Sequence, residues 1–173
     1  MTADEIKQLI RDIPDFPQPG ILFRDITPLI GDAHGLAAIV DQIAESWLGK
    51  VDQVLGIESR GFIIGAPVAY RLGVGFTIAR KPGKLPYLTV AEDYELEYGT
   101  AALQMHQDGL GGRSRVLVVD DLLATGGTAL AAVRLVQKLG GQVAGCAFVI
   151  ELSGLRGRQR LEPVTCTSLV QYD

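Results

Sequence analysis

The sequence predicts an α/β domain with a mostly parallel central sheet flanked by helices. Four apolar runs carry this: QVLGIE from Gln53, GVGFTIA from Gly73, RVLVVDD from Arg115 and QVAGCAFVIEL from Gln142. None shows the apolar–polar alternation of a sheet with one wet face. Between them lie segments with apolar residues at helical spacing, HGLAAIVDQIAESWL from His34, GFIIGAPVAYRLG from Gly61 and TALAAVRLVQKLG from Thr128. Strands oily on both faces, separated by amphipathic helices, are what a parallel sheet covered on two sides requires.

The chain begins with a short helix. Thr2 and Glu5 have the spacing of a capping box, and Ile6, Leu9, Ile10 and Ile13 then form one apolar face until Pro14 stops it. Prolines 14, 17, 19 and 28 break regular structure in the next stretch, yet Phe16, Ile21, Leu22, Phe23 and Ile26 are too apolar for a solvated linker. Residues 14–30 are therefore expected to form an extended cap over the body. From Arg80 to His106, polar and aromatic residues alternate with apolar ones after a basic turn, which predicts an inserted, mobile hairpin arm over residues 80–106. At 173 residues the whole is one domain.

The net charge of −4 argues against a nucleic-acid surface, and no apolar run is long enough for a membrane span. Cys146 and Cys166 are too far apart for a metal or redox CxxC motif and read as free thiols in a reducing compartment. The acidic, amphipathic N-terminus does not resemble a secretory signal. A cytoplasmic location is expected.

In a parallel α/β sheet, ligands bind at the carboxyl ends of strands. Asp120 and Asp121 stand at such an end, followed by Ala124, Thr125, Gly126, Gly127 and Thr128, whose backbone N–H groups open the next helix as a phosphate cradle. An acid pair repels a bare phosphate, so the ligand must also offer hydroxyl donors to the carboxylates. A phosphorylated ribose does both, with a divalent cation moderating the charge. A second strand end, GIESRGF from Gly56, places Ser59, Arg60 and Gly61 where a nest and a guanidinium can hold another anion. Arg80, Lys81 and Lys84 form a third, basic cluster at the head of the arm.

VLVVDDLLATGGT is similar to the phosphoribosyl pyrophosphate motif of the type I phosphoribosyltransferases. FRDITP, GIESRGFIIG, RKPGKLP, YELEYGT and the closing SLVQYD narrow the resemblance to the adenine-specific members, over nearly the whole chain. The resemblance implies transfer of a phosphoribosyl group from phosphoribosyl pyrophosphate to adenine, giving AMP and pyrophosphate in purine salvage. It also implies Mg2+ held mainly by the substrate, with no protein metal site, and a homodimer.

Residue by residue, the resemblance implies that Asp120, Asp121 and Ala124 to Thr128 hold the ribose and 5-phosphate. Ser59, Arg60, Arg80, Lys81 and Lys84 would hold the pyrophosphate, and Leu22, Phe23, Arg24 and Leu122 the adenine. Glu97, Tyr98 and Arg60 would be catalytic, Glu97 handling the purine proton. A non-proline cis bond is implied at Glu58–Ser59. Where the family usually has K-L-P-G, Lys84-Leu-Pro-Tyr87 predicts a different turn at the base of the arm, since tyrosine does not enter φ > 0 cheaply. Two rivals are a regulator that binds phosphoribosyl pyrophosphate to control nucleic-acid binding, which should carry a basic face or a helix-turn-helix extension, and an enzyme for another 6-substituted purine.

Overall fold

The computed structural model describes residues 1–96 and 99–173. Helix α1 (Ala3–Gln8) has the expected capping box: the Thr2 hydroxyl accepts from the Glu5 N–H at 3.3 Å and the Glu5 carboxylate accepts from the Thr2 N–H at 2.7 Å. The helix stops sooner than its apolar spacing predicts. Residues 11–14 form β1 (Arg11–Pro14), antiparallel to β2 (Leu22–Asp25), with Ile13 opposite Phe23. Only Ile6 and Ile10 of the predicted helical face are buried, because strand pairing across the proline turn claims Ile13.

Asp25 fastens this hairpin to α2 (Thr27–Gly31). Its carboxylate accepts from the Arg11 guanidinium at 2.7 Å, the Thr27 hydroxyl at 2.7 Å and the Thr27 N–H at 2.9 Å. The hydrogen bonds from Thr27, with the Arg11 charge behind them, hold its pKa down at about 2. Asp32 then caps α3 (Ala33–Trp47), accepting from the Gly35 N–H at 2.7 Å.

The central sheet contains β3 (Gln53–Ile57), β4 (Gly75–Ala79), β7 (Arg115–Leu123), β8 (Gln142–Leu152) and β9 (Cys166–Tyr172) in the order β4-β3-β7-β8-β9, and every neighbouring pair is parallel. Helix α4 (Arg60–Leu72) follows β3, and α5 (Gly127–Lys138) follows β7. One face packs Leu117 and Val119 against α3 and α4; the other packs Val116 and Val118 against α5 and the arm. Both faces of β7 are dry, so its sequence carries no alternation.

The edge strand β9 is absent from the run of elements predicted above. Its sequence, CTSLVQY, is half polar, and its burial is mostly partial. Between β8 and β9 lie a short 3-10 turn (Ser153–Leu155) and α6 (Gly157–Arg160). The arm is a hairpin, β5 (Thr89–Leu96) antiparallel to β6 (Gly99–His106), tied to the sheet by pairing of Arg80 with Gln104. At its base Gly83 takes the left-handed conformation, with φ of 76°, while the Tyr87 ring packs edge-on to His106.

From β3 the chain crosses to β4 on one side and returns to β7 on the other. The carboxyl ends of β3 and β7 therefore diverge around a crevice, where a parallel sheet receives its ligand.

Replacing Asp25 with Ala is expected to lower unfolding stability by roughly 1–3 kcal/mol near neutral pH, since partly buried donors on Thr27 and Arg11 lose their acceptor. The depressed pKa means this contribution is full above the unfolded value of ~3.9 and is lost as pH falls through the folded value. Urea unfolding of native protein and variant should therefore show a constant gap at neutral pH that narrows only below about pH 4.

Candidate active site

The site begins where β3 turns into α4. The Glu58–Ser59 peptide is cis, as the resemblance implied, and Ser59 stands at the helix N-cap. A Cβ on Gly61 would lie 2.7 Å from the Val119 carbonyl oxygen and 2.9 Å from Asp120 Oδ1, so only glycine lets α4 start this close to β7. The Arg60 guanidinium reaches Asp121 Oδ2 at 2.5 Å. It also lies 5.2 Å from the centre of the Phe23 ring, linking the acid pair to the N-terminal hairpin.

The two acids lie within β7, which continues to Leu123, rather than just beyond the strand. Asp121 is buried and paired with Arg60. Asp120 is half-buried, with no cation within 4.0 Å of its carboxyl among the described residues, although its oxygen accepts from the Asp121 N–H at 2.9 Å. Burial, and then the neighbouring Asp121 charge, push the Asp120 carboxyl well above the usual carboxylate range.

Ala124 to Gly126 form the loop, and Gly127 and Thr128 already belong to the first turn of α5. Gly126 has φ of 84° and offers no side-chain cap, leaving the first N–H groups of a 12-residue helix to face the crevice. The loop is backed by α6. A Cβ on Gly126 would lie 2.6 Å from the Gly157 carbonyl, and one on Gly157 would lie 2.2 Å from the Ala124 carbonyl. On the arm side, a Cβ on Gly127 would lie 3.2 Å from the Glu95 carbonyl, 3.5 Å from the Tyr94 ring and 3.9 Å from the Arg160 guanidinium.

These parts enclose a cavity of about 440 Å³. Of the residues singled out in the sequence, Ser59, Arg60, Lys81, Asp120, Asp121, Leu122 and the whole segment from Ala124 to Thr128 line it. Other expected residues stand outside its lining. Arg80 pairs with Glu58 at 3.1 Å, and its guanidinium lies 5.9 Å from the Phe62 ring. Lys84 is exposed, and its carbonyl accepts from Arg80 at 3.3 Å. Leu22 is exposed. Phe23 packs edge-on to Phe16, and Arg24 pairs with Asp12 and stacks 3.9 Å from the Tyr172 ring. Glu97 and Tyr98 lie outside the described residues.

Sequence reasoning missed four participants. Glu58, inside a quoted motif, holds Arg80 and the Lys81 N–H. Tyr94 lines the cavity from the arm. Gly157 and Arg160 approach the loop from α6, a helix too short to announce itself.

The phosphoribosyl transferase domain family matches residues 30–172 of the chain. The adenine phosphoribosyltransferase of Acaryochloris marina is 57% identical over 169 residues, 97% of this chain and 99% of that protein. The crystal structure of adenine phosphoribosyltransferase from Thermoanaerobacter pseudethanolicus superposes with a TM-score of 0.96 at 49% identity, covering 99% of this chain and 100% of that one. The Saccharomyces cerevisiae adenine phosphoribosyltransferase, crystallised with D-2,5-dideoxy-2,5-imino-altritol 1,6-bisphosphate and adenine, superposes with a TM-score of 0.91 at 37% identity, covering 96% and 97% of the two chains.

Asp120→Asn keeps the oxygen that accepts from the Asp121 N–H while removing a charge that burial disfavours. A raised folded-state pKa means stability is lost as pH rises from the unfolded value of ~3.9 towards the folded one, and the cost vanishes where the group is protonated in both states. The variant should therefore melt a few degrees above the native protein at neutral pH, with the gain disappearing near pH 4, as read by thermal unfolding at both pH values.

Proposed function

The chain belongs to the phosphoribosyl transferase family and, within it, to the adenine phosphoribosyltransferases; from that premise we propose how its residues divide the work. The reaction transfers the phosphoribosyl group from phosphoribosyl pyrophosphate to adenine, giving AMP and pyrophosphate. The observation that carries the assignment of roles is the cavity at the sheet's switch point. It is lined at once by an acid pair, an uncapped glycine-rich helix start and Lys81 of the basic turn.

In this reading the 5-phosphate sits on the N–H groups and hydroxyls of Ala124 to Thr128, and the ribose hydroxyls donate to Asp120 and Asp121. Arg60 already compensates the Asp121 charge, so the pair does not present two bare carboxylates to the incoming phosphate. Ser59, Arg60 and Lys81 hold the pyrophosphate, joined by Arg80 and Lys84 from the same turn. The C1–O bond breaks as the C1–N9 bond to adenine forms. The leaving charge falls on the basic turn, and the acids face the cation-like ribose. Magnesium, held mainly by the substrate, would supply positive charge against the leaving pyrophosphate, and Asp120 would face it from the cavity lining.

Adenine is assigned to Leu22, Phe23, Arg24 and Leu122. The contact of Arg60 with the Phe23 ring supports this, since it brings the hairpin cap to the edge of the site. Glu97 and Tyr98 are assigned to the proton that leaves N9 or reaches N7. The approach of Glu95 and the Tyr94 ring to Gly127 supports an arm lying over the loop.

We infer a single domain working as a homodimer in the cytoplasm. Ile63, Ala66 and Tyr70 form one exposed stripe on α4, which supports self-association. Two free cysteines support a reducing compartment. No helix among the described residues is long and apolar enough to cross a membrane.

The decisive assay is product formation from each purine and pyrimidine base in turn, with phosphoribosyl pyrophosphate and magnesium. A site whose backbone carbonyl accepts from the 6-amino group should favour adenine over hypoxanthine by at least roughly 10²-fold in kcat/KM, and comparable values would remove the cap from base recognition. Glu97→Gln is expected to lower the single-turnover rate on the order of 10²-fold with little change in phosphoribosyl pyrophosphate affinity. An unchanged single-turnover rate would place Glu97 on a solvated hairpin face.

A further inference from the structure

We propose that Cys146 and Cys166 form a peroxide-reactive dithiol, which closes into an intramolecular disulfide between β8 and β9. The two residues are 20 positions apart along a connection that contains the 3-10 turn and α6, yet the sheet places them directly opposite each other in the parallel register. Neighbouring strands run ~4.8 Å apart, and registered residues of parallel strands project to the same face. That separation falls within the Cα–Cα range of about 4.4–6.8 Å that a disulfide bridges. Both thiols are unbridged in this structure.

Their surroundings divide the labour. Cys146 is fully buried on the face packed against α5, whereas Cys166 is only half-buried. Cys166 is therefore the sulfur that a small oxidant reaches first. Arg158 of α6 donates to the Cys166 carbonyl at 2.5 Å and is held there by Glu151 and Ser168. Cys166 Sγ donates to the Val164 carbonyl at 3.5 Å, and the Cys146 thiol beside it, with the Arg158 charge after it, holds the Cys166 thiol below its ordinary pKa. The neighbouring Cys166 thiol, and then burial, hold Cys146 up. An accessible thiol beside a fully buried one is the pairing in which the first sulfur is oxidised and the second resolves.

The chemistry balances with hydrogen peroxide as oxidant. The Cys166 thiolate attacks one peroxide oxygen, the O–O bond breaks, and hydroxide takes up a proton and leaves as water, giving a sulfenic acid on Cys166. The Cys146 sulfur then attacks Cys166 Sγ. The S–O bond breaks, the S–S bond forms, and the Cys146 proton leaves with the hydroxyl as a second water. Two thiols and one peroxide give one disulfide and two waters.

The test exposes the folded full-length protein to hydrogen peroxide, then alkylates it in denaturant and weighs it. The expected result is loss of both alkylatable thiols and a mass lower by two hydrogens within one chain, both reversed by dithiothreitol. Cys166→Ser should leave Cys146 fully alkylatable after the same exposure, and Cys146→Ala should leave Cys166 as a sulfenic acid trapped by dimedone. Should Cys146→Ala fail to fold, native protein and Cys166→Ser decide alone. The proposal is overturned if two thiols survive in the native protein, if Cys166 passes to the sulfinic acid beside an intact Cys146 thiol, or if the bridge joins two chains. It is also overturned if the urea-unfolded chain closes the bridge as fast as the folded one.

Discussion

The close approach of the α4 N-terminus to the end of β7 is the constraint on which the site depends. It exists because residue 61 has no side chain: any Cβ there would press on the Val119 carbonyl and on Asp120. With that gap closed, Arg60 reaches Asp121, and the two strand ends that flank the sheet's switch point become walls of one cavity. The same guanidinium lies against Phe23, so the N-terminal hairpin takes its place from the catalytic crevice as well as from its own pairing.

Charge is distributed unequally across the acid pair, with a physical consequence. Asp121 carries its own counterion, so its burial is compensated. Asp120 has none within 4.0 Å among the described residues, and desolvation raises its pKa. A carboxyl held in this unfavourable state lowers the stability of the fold and would be relieved by any hydroxyl donor or positive charge brought beside it.

The loop after β7 is shaped from behind. Gly126 and Gly157 meet backbone to backbone, so α6, which contributes nothing to the cavity lining, fixes how far the loop can retreat from the cavity. Arg158, one residue along, ties α6 to Glu151 on β8 and to the Cys166 carbonyl on β9. The loop's position thus depends on an edge strand and a four-residue helix.

The sequence by itself determined the parallel sheet, because β3, β7 and β8 are dry on both faces and their residues cannot hide that. It also determined the acid pair, the glycine loop and the ESR turn, since each is a contiguous motif whose backbone geometry is local. Tertiary structure decided whatever depends on pairing between distant segments. Ile13 left its helical face because Phe23 lay opposite it, and the half-polar β9 became a strand only by joining β8. Arg80 turned to Glu58 and out of the cavity lining, while Gly157, which carries no motif, came to touch the glycine loop after β7. Periodicity and motif spacing record what a residue's neighbours along the chain demand; the charge partner of Asp121 and the wall behind Gly126 arise only when the sheet brings distant backbone within van der Waals contact.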